Sequence, residues 1–309
     1  MHIPVMLGEC LEALITDPGG IYVDGTLGNG GHAGGILERL QSGGMLVGFD
    51  RDIDAIERVG RKLRSGAGKR VELVHDNYAN MAGRLDQLGI GEVSGILLDL
   101  GLSSYQLDEG GRGFSFRYDA PIDMRMDQTR GMTAAELLQS ADEKELADLI
   151  YRFGEDRAAR RIARAIVEER GRSRIETTGQ LADLVERVKG GRKGRKIHPA
   201  TQTFQALRIA VNDELTAIAQ VLESMIGRIA AGGRFVVLTF HSLEDRMVKQ
   251  FFNRHVPREE SLQQGGVKRI FEDPPVEWIW RKPKTASVEE QAVNPRSRSA
   301  KLRAVRVGV

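Results

Sequence analysis

Short apolar runs alternate with amphipathic segments over the first 100 residues, and this alternation is the feature that most restricts the fold. Strand-like and helix-like segments take turns in the order 21–24, 32–41, 45–50, 53–63, 71–75, 81–88 and 96–99. Strands that alternate with helices are typical of an α/β fold with a parallel, doubly wound sheet. In such a sheet, ligands bind outside the carboxyl ends of the strands. The sequence therefore predicts a binding site at that edge.

A mostly helical segment interrupts the alternation. It begins near residue 107, and Thr133 with Glu136 has the spacing of a capping box that starts a helix. The strand pattern returns at 234–240 and again at 300–307, the second of which we expect to complete the edge of the sheet. We therefore predict a discontinuous α/β domain, 1–106 and 206–309, with a helical insertion at 107–205.

Composition excludes several classes of protein. The chain has 309 residues, of which 41% are hydrophobic and 28% charged, as is usual for a globular protein. It contains no apolar run of about 18 residues and no apolar signal core near its start, so we expect neither a membrane partner nor secretion. The single cysteine, Cys10, excludes an internal disulfide and a Cys-rich zinc site. These features favour a cytoplasmic protein.

Charge is distributed unevenly along the chain. Residues 1–150 carry a net charge of −10, whereas 151–200 carry +7 and 281–309 carry +6. Two basic blocks in a chain of nearly neutral total charge suggest a face that binds a polyanion such as RNA. The alternative is a set of solvated helix faces and a basic tail. The basic residues in question are Arg157, Arg160, Arg161 and Arg164, at helical spacing, and Arg192, Lys193, Arg195 and Lys196 in a glycine-rich loop.

A glycine-rich turn follows the first predicted strand. It contains Gly28-x-Gly30-x-x-Ala33, and Asp50 ends the next strand 20 residues after Gly30. Glycine lets the backbone turn sharply, and an acid at this spacing can accept hydrogen bonds from ribose hydroxyls. The pattern predicts binding of an adenosine-type nucleoside. It leaves open NAD as the ligand, and also a tight turn that serves packing alone.

Two acids and a tyrosine favour S-adenosylmethionine over NAD. Asp24 lies at the start of the turn, where a carboxylate suits the amino group of a methionine moiety and would repel a pyrophosphate. Asp99 ends the fourth strand, where methyltransferase folds place the methyl acceptor. Tyr78, just beyond the third strand, either stacks on adenine or packs at the edge of the core.

Several long motifs then match one family. They are His2-Ile3-Pro4-Val5-Met6-Leu7, the 24–32 turn, 97–108, Gly113-Phe114-Ser115-Phe116, 123–127, 198–209 and Phe240-His241-Ser242-Leu243-Glu244-Asp245-Arg246. With these motifs the chain resembles the MraW (RsmH) family of bacterial small-subunit (16S) ribosomal RNA cytosine-N4 methyltransferases. The resemblance implies a Rossmann-like methyltransferase sheet, with the insertion as an RNA-recognition domain.

The resemblance also implies a cofactor pocket for S-adenosylmethionine and an RNA partner. The pocket residues carried over are Gly30, Gly31, His32, Asp50, Tyr78, Asp99 and Gln106. The partner is small-subunit ribosomal RNA, within an assembled or assembling small subunit, and a homodimer is left open. The residues at 78, 105 and 120 depart mildly from the pattern that we expect of many relatives.

Methyl transfer to a cytosine amine needs an acceptor for the amine protons but no metal. Asp99 and His241 are the predicted catalytic residues, although a capping or phosphate-contacting role for His241 is the alternative. Asp119, Asp123 and Asp127 are interpreted as solvated or arginine-paired acids, not as a cation site. Phe114 and Phe116 either stack on a flipped base or anchor their loop. Rival functions are an NAD-dependent oxidoreductase and a non-catalytic RNA-binding protein.

Overall fold

The computed structural model describes residues 4–63, 70–102, 110–192, 194, 197–261 and 267–308. Contacts divide the chain into two compact units. One comprises 1–101 and 215–309 and is called the sheet unit below; the other comprises 102–214 and is called the helical unit. The expectation that 107–205 forms a separate RNA-recognition domain stays a prediction.

The sheet unit is built on a seven-stranded sheet with the order β3-β2-β1-β4-β5-β9-β8. The strands are β1 Ile21–Asp24, β2 Met45–Asp50, β3 Arg70–His75, β4 Val93–Asp99, β5 Ile229–Thr239, β8 Val276–Trp278 and β9 Lys301–Val307. The first five strands in chain order are parallel, and β9 is antiparallel to β5. The predicted doubly wound α/β fold is confirmed, and its strand order reverses between β1 and β4.

The expectation for the last strand was wrong in one respect. β9 does not complete the sheet edge, because β8 pairs with it on the outer side in antiparallel register. A strand of three residues is too short to show a recognisable pattern in the sequence. A separate two-stranded sheet, β6 Arg258–Ser261 with β7 Val267–Ile270, was also not predicted. All four residues of β6 are exposed, so no apolar alternation marks it.

Helices cover both faces of the sheet. One face carries α1 Leu7–Leu14, α2 Gly31–Arg39 and α3 Ile53–Leu63, and the other carries α4 Met81–Gln87, α10 Glu214–Met225 and α11 Ser242–His255. Successive strand residues point to opposite faces. Accordingly, Leu97 packs in the first of these layers and Leu98 in the second. A short helix, α12 Val288–Val293, precedes β9.

The helical unit has its own apolar core. Its helices are α5 Ala134–Ser140, α6 Glu143–Gly154, α7 Ala159–Arg170, α8 Thr178–Val188 and α9 Thr201–Asn212. The predicted capping box of Thr133 and Glu136 is confirmed at the start of α5. One expected boundary was wrong, because Arg157, which was grouped at helical spacing with Arg160, Arg161 and Arg164, lies two residues before the first helical residue of α7.

The loop before α5 shows the anchoring contacts and the arginine pairs that the sequence offered among its alternatives. Phe114 is buried in the core of the helical unit, and the Phe116 ring lies 4.8 Å from that of Phe204, so both anchor the loop. Arginine pairing is confirmed for two of the three acids considered for a cation site. Arg125 binds Asp123 at 2.8 Å, and Arg130 binds Asp127 at 2.6 Å. None of the described helices has the length and apolar character that crossing a bilayer requires.

Candidate cofactor-binding and active site

Three acids meet at the carboxyl edge of the sheet. Asp24 ends β1 and is in register with Gly48 of β2 and Leu97 of β4. Asp50 and Asp99 lie two residues beyond those partners, at the ends of the same strands. The acids therefore surround the point between β1 and β4 where the strand order reverses, which is where open α/β sheets bind ligands.

The glycine turn is shaped by packing as well as by its backbone angles. Gly28 and Gly30 have φ of 53° and 73°, values that strain other residues. A Cβ on Gly30 would lie 2.4 Å from Cγ1 of Val59, and one on Gly31 would lie 2.2 Å from Cγ of Pro4. Close packing is thus sufficient to explain why glycine occupies positions 30 and 31. The predicted contact of Gly30 and Gly31 with the cofactor stays a prediction.

Asp50 fastens the glycine turn. Its Oδ2 accepts the N–H of Gly28 at 2.8 Å, and its Oδ1 accepts the N–H of Asp52 at 2.9 Å. Burial raises the pKa of Asp50, whereas these two backbone donors act in the opposite direction. A carboxylate oxygen accepts two hydrogen bonds. The backbone N–H of Arg51 is a third donor to this carboxylate, so an acceptor site remains for a ribose hydroxyl.

Asp24 is a fully buried carboxyl with one oxygen unsatisfied. Oδ1 accepts the N–H of Thr26 at 3.1 Å, and Oδ2 has no hydrogen-bond partner among the described residues. Burial is the main reason that the pKa of Asp24 rises from its ordinary value near 3.8 to about 6. A buried acceptor without a hydrogen bond is energetically costly, so a ligand that donates a hydrogen bond to it is favoured. The ammonium group of S-adenosylmethionine has the charge and the protons to supply it.

His32 connects the N-terminal segment to Asp99. The ring is buried in α2; its Nε2 lies 3.1 Å from the carbonyl oxygen of Val5, and its Nδ1 lies 3.5 Å from Oδ2 of Asp99. A carbonyl can only accept, so Nε2 is the nitrogen that carries a proton in this contact. Nδ1 therefore faces the carboxylate, and a second proton there would make the contact an ion pair.

The Asp99 carboxylate is held at a defined place and remains partly exposed. Its backbone N–H donates to Oγ1 of Thr26 at 2.7 Å, and its Oδ1 accepts the N–H of Gly101 at 3.2 Å. About a quarter of the side chain is exposed, 23%, so solvent or a ligand reaches it. The structure thus brings Asp24, His32 and Asp99 to one end of the β1–β4 pair.

Tyr78 and Gln106 are the remaining predicted pocket residues. Tyr78 is buried and packs in the core beside α4, as the core-edge alternative describes, and its contact with adenine stays a prediction. Gln106 lies outside the described residues. The structure therefore adds no geometry for Gln106.

His241 caps a helix. Its Nδ1 accepts the N–H of Glu244 at 3.4 Å, and its backbone N–H donates to Oε2 of Glu244 at 3.2 Å, which forms a capping box at the start of α11. The capping alternative is thus observed. The predicted catalytic role of His241 stays a prediction; Nδ1 is engaged by the N–H of Glu244, and Nε2 lies 3.0 Å from Oε1 of Glu244.

Sequence reasoning missed the residues that support the site. Thr26 binds the backbone of Asp99, the segment Pro4–Met6 packs on Gly31 and His32, and Glu290 accepts the backbone N–H of Met6 at 2.8 Å. Thr26 and Pro4–Met6 stand within motifs that the sequence displays. No local signal marks Glu290, because its partner is 284 positions away.

Comparison with known proteins identifies the family. Residues 1–307 match the MraW methylase family. The chain belongs to this family. A relative from Symbiobacterium thermophilum is 48% identical over 305 residues, covering 98% of this chain and 96% of the relative. A relative from Syntrophotalea carbinolica is 49% identical over 306 residues, covering 99% and 97%. One from Neisseria gonorrhoeae is 47% identical over 304 residues, covering 98% and 94%. All three are named ribosomal RNA small subunit methyltransferase H.

Membership of the MraW methylase family decides between the two cofactors that the glycine turn allowed. The cofactor is S-adenosylmethionine, and NAD is set aside. The described residues fit this cofactor, since Asp24 offers an orphaned acceptor for an ammonium group and Asp50 offers a partly occupied carboxylate for a ribose hydroxyl.

Proposed function

We propose that this protein methylates the exocyclic N4 amine of a cytidine in small-subunit ribosomal RNA. Support for the RNA comes from the names of its relatives, which are 47–49% identical over nearly the whole chain. Support for the amine comes from the resemblance in motifs and from one observation above all. The Asp99 carboxylate stands at the end of β4, held by the N–H of Gly101 and still accessible.

The reaction makes a specific demand on the protein. S-adenosylmethionine, when bound, supplies a methyl group on a positively charged sulfur. The cytosine amine is a poor nucleophile, because its lone pair is delocalised into the ring. As the N–C bond forms and the C–S bond breaks, positive charge develops on the amine nitrogen, which then loses a proton. A fixed carboxylate that accepts an amine N–H stabilises that charge and orients the lone pair.

Asp99 meets this demand through the way in which it is held. The N–H of Gly101 donates to Oδ1 and Nδ1 of His32 faces Oδ2, which fixes the carboxylate, while 23% of the side chain stays exposed to a substrate amine. His32 acts as a positioning residue in this proposal. His241 orients the start of α11, where its Nδ1 accepts the N–H of Glu244 and its Nε2 lies 3.0 Å from Oε1 of Glu244.

In the helical unit, the arginines at and just before the start of α7 supply the contacts to RNA phosphates. Arg157, Arg160 and Arg161 are exposed, and Arg164 is 70% exposed although Glu143 lies 3.6 Å away. Exposed arginines that face solvent bind phosphates without reading sequence. Specificity for one cytidine then comes from the shape of the RNA around it and from base contacts.

Mass analysis of ribosomal RNA nucleosides tests the proposed function. Purified protein and S-adenosylmethionine are incubated with small-subunit ribosomal RNA and, separately, with intact small subunits that lack the modification. We expect N4-methylcytidine in one of these substrates and none when Asp99→Ala replaces the wild type. Methylation of another base, or of a cytosine ring carbon, would contradict the proposal. RNA binding with no methyl transfer to any substrate would favour the non-catalytic alternative.

A further inference from the structure

A basic segment runs beside β9 on the outer side of the sheet unit. It comprises residues 279–284 and is called the Trp280 segment below. Its backbone is anchored at both ends, because the N–H of Ile279 donates to Ala304 and Lys284 exchanges two hydrogen bonds with Leu302, at 3.0 and 2.9 Å. The Trp280 segment therefore has a fixed place on the sheet and does not behave as a frayed tail.

The register of the sheet locates this segment relative to the candidate site. Lys284 is paired with Leu302, Leu302 with Leu238, and Leu238 with Asp99. The four residues form one row across the sheet. Neighbouring strands are about 4.8 Å apart, so the Lys284 backbone lies about 14 Å from that of Asp99, at the same carboxyl edge. An RNA strand whose target base reaches Asp99 has its neighbouring phosphates within this range.

The charges of the Trp280 segment are not compensated. Arg281 and Lys282 are exposed, and neither makes a hydrogen bond or an ion pair with another described residue. The Lys284 ammonium sits 4.2 Å from the centre of the Trp280 ring, which limits its movement. A cation that is already confined loses less conformational entropy when it binds a phosphate.

Two acids of neighbouring elements are already paired with other cations. Glu277 of β8 binds Arg306 at 2.8 Å. Asp245 of α11 binds Arg303 at 2.6 Å and Lys301 at 3.0 Å. These pairs leave the three cations of the Trp280 segment as a local positive patch in a unit whose first hundred residues are acidic overall.

We propose that Arg281, Lys282 and Lys284 form a phosphate-binding surface for the RNA strand that flanks the target nucleotide. The proposal rests on the proposed function for its ligand. The surface belongs to the sheet unit, whereas the arginines near α7 belong to the helical unit. Its contacts are to phosphates, so it adds affinity and orientation to the complex but no base specificity.

A triple substitution tests the surface. Arg281, Lys282 and Lys284 are each replaced by Gln, which removes the charge and keeps much of the side-chain length. The matched control replaces three other exposed cations of the sheet unit by Gln: Arg39 at the end of α2, Arg70 at the start of β3 and Lys249 in α11. Binding of a labelled small-subunit ribosomal RNA transcript is measured over a range of salt concentrations, with no S-adenosylmethionine present.

We expect the triple variant to bind RNA more weakly and with a flatter salt dependence. Each lost phosphate contact on a single strand lowers the slope of log K against log salt by about 0.7, so three contacts lower it by about 2. The control variant should keep the wild-type slope, and both should bind S-adenosylhomocysteine as the wild type does. Equal slopes for the triple variant and the control would overturn the proposal.

This design separates the surface from the proposed reaction. Binding is measured without methyl transfer. RNA binding that depends on the Trp280 segment, together with no methylation of cytidine, would therefore contradict only the proposed function. Conversely, if the wild type methylates N4 and the triple variant has an unaltered salt slope, only the proposed phosphate-binding surface is contradicted. Loss of binding to anionic vesicles with unchanged binding to RNA would assign the patch to a membrane and also overturn it.

Discussion

The backbone N–H of Met6 donates a hydrogen bond to Oε1 of Glu290 at 2.8 Å, and this contact joins the two ends of the chain. The adjacent carbonyl, that of Val5, lies 3.1 Å from Nε2 of His32, and Nδ1 of His32 faces Asp99. A line of contacts therefore runs from α12 through the N-terminal segment to the carboxyl edge of the sheet. Glu290 is thereby linked to the geometry of a site that it does not touch.

Replacing Glu290 by Ala should loosen the N-terminal segment. A hydrogen bond to a charged group contributes about 1.5–3 kcal/mol, so we expect a loss of that order in the free energy of unfolding and weaker binding of S-adenosylhomocysteine. Glu290→Gln keeps an acceptor and should recover part of both. Chemical denaturation and calorimetry measure the two effects. The control is Glu289→Ala, an exposed acid of the same helix; indistinguishable behaviour of the two alanine variants would contradict the linkage.

The seven elements expected between residues 21 and 99 were predictable because each is encoded locally, whereas α1 was not predicted. The limits of β2 and α3 coincide with the expected ones, since an unbroken apolar run and a regular amphipathic pattern leave little ambiguity. The position of β9 was not predictable. Whether a strand lies at an edge depends on a partner elsewhere in the chain. The partner here, β8, is too short to show a recognisable strand pattern in the sequence.

The candidate site was predictable to a similar depth. Acids at the ends of successive parallel strands must meet at one edge, so Asp24, Asp50 and Asp99 were found from spacing alone. What each acid does was not encoded there. Asp50 fastens Gly28 and His241 caps α11, and both roles depend on hydrogen-bond geometry that residue type and spacing leave undefined.

Asp24 should make stability fall as the pH rises through the interval from about 4 to 6. Its folded pKa is about 6 and its unfolded value is near 3.8, so within this interval the folded state binds more protons than the unfolded state. The free energy of unfolding then decreases with pH, by about 3 kcal/mol in total, and this contribution levels off above pH 6. Asp24→Asn should remove it. Denaturation of both proteins from pH 4 to pH 8 measures the difference; parallel curves would contradict the assignment.

The same carboxyl should make cofactor binding depend on pH. An ammonium group stabilises the charged form of Asp24, so binding of S-adenosylhomocysteine should tighten between pH 5 and pH 7 and release a proton near pH 6. Calorimetry in buffers of different ionisation enthalpy detects that proton. In Asp24→Asn the affinity should be lower and the proton release absent. A release that persists in this variant would show that another group titrates.

Asp50→Ala should weaken cofactor binding without unfolding the protein. The carboxylate is expected to accept hydrogen bonds from ribose hydroxyls, which contribute about 1.5–3 kcal/mol, or a loss of roughly 10- to 150-fold in affinity. Release of the Gly28 N–H should also lower the melting temperature by a few degrees. Calorimetry with S-adenosylhomocysteine and a thermal scan report the two effects separately. Unchanged affinity in the folded variant would exclude the ribose contact.

Asp99→Asn should separate catalysis from RNA binding. Asparagine keeps the shape but removes the charge that offsets positive charge on the amine, so we expect the methyl-transfer rate to fall by about 100-fold or more. The affinity for small-subunit ribosomal RNA should change less than twofold, because phosphate contacts dominate it. Single-turnover kinetics and a binding titration test both statements. A rate close to that of the wild type would remove Asp99 from the proposed mechanism.

The arginines at the start of α7 should contribute to RNA affinity in proportion to their exposure. Arg157, Arg160 and Arg161 are exposed, whereas Arg170 near the end of the same helix donates to the carbonyl oxygens of Leu138 and Ala141. Replacing the first three by Gln should lower the salt slope of RNA binding by about 2, at about 0.7 for each single-strand phosphate contact, and leave stability unchanged. Arg170→Gln should lower the stability and leave the salt slope unchanged, because it removes the guanidinium donor of two carbonyl groups and removes no phosphate contact. Salt-dependent binding and thermal unfolding of the two variants decide the matter; a normal slope in the triple variant would mean that these arginines only solvate the helix.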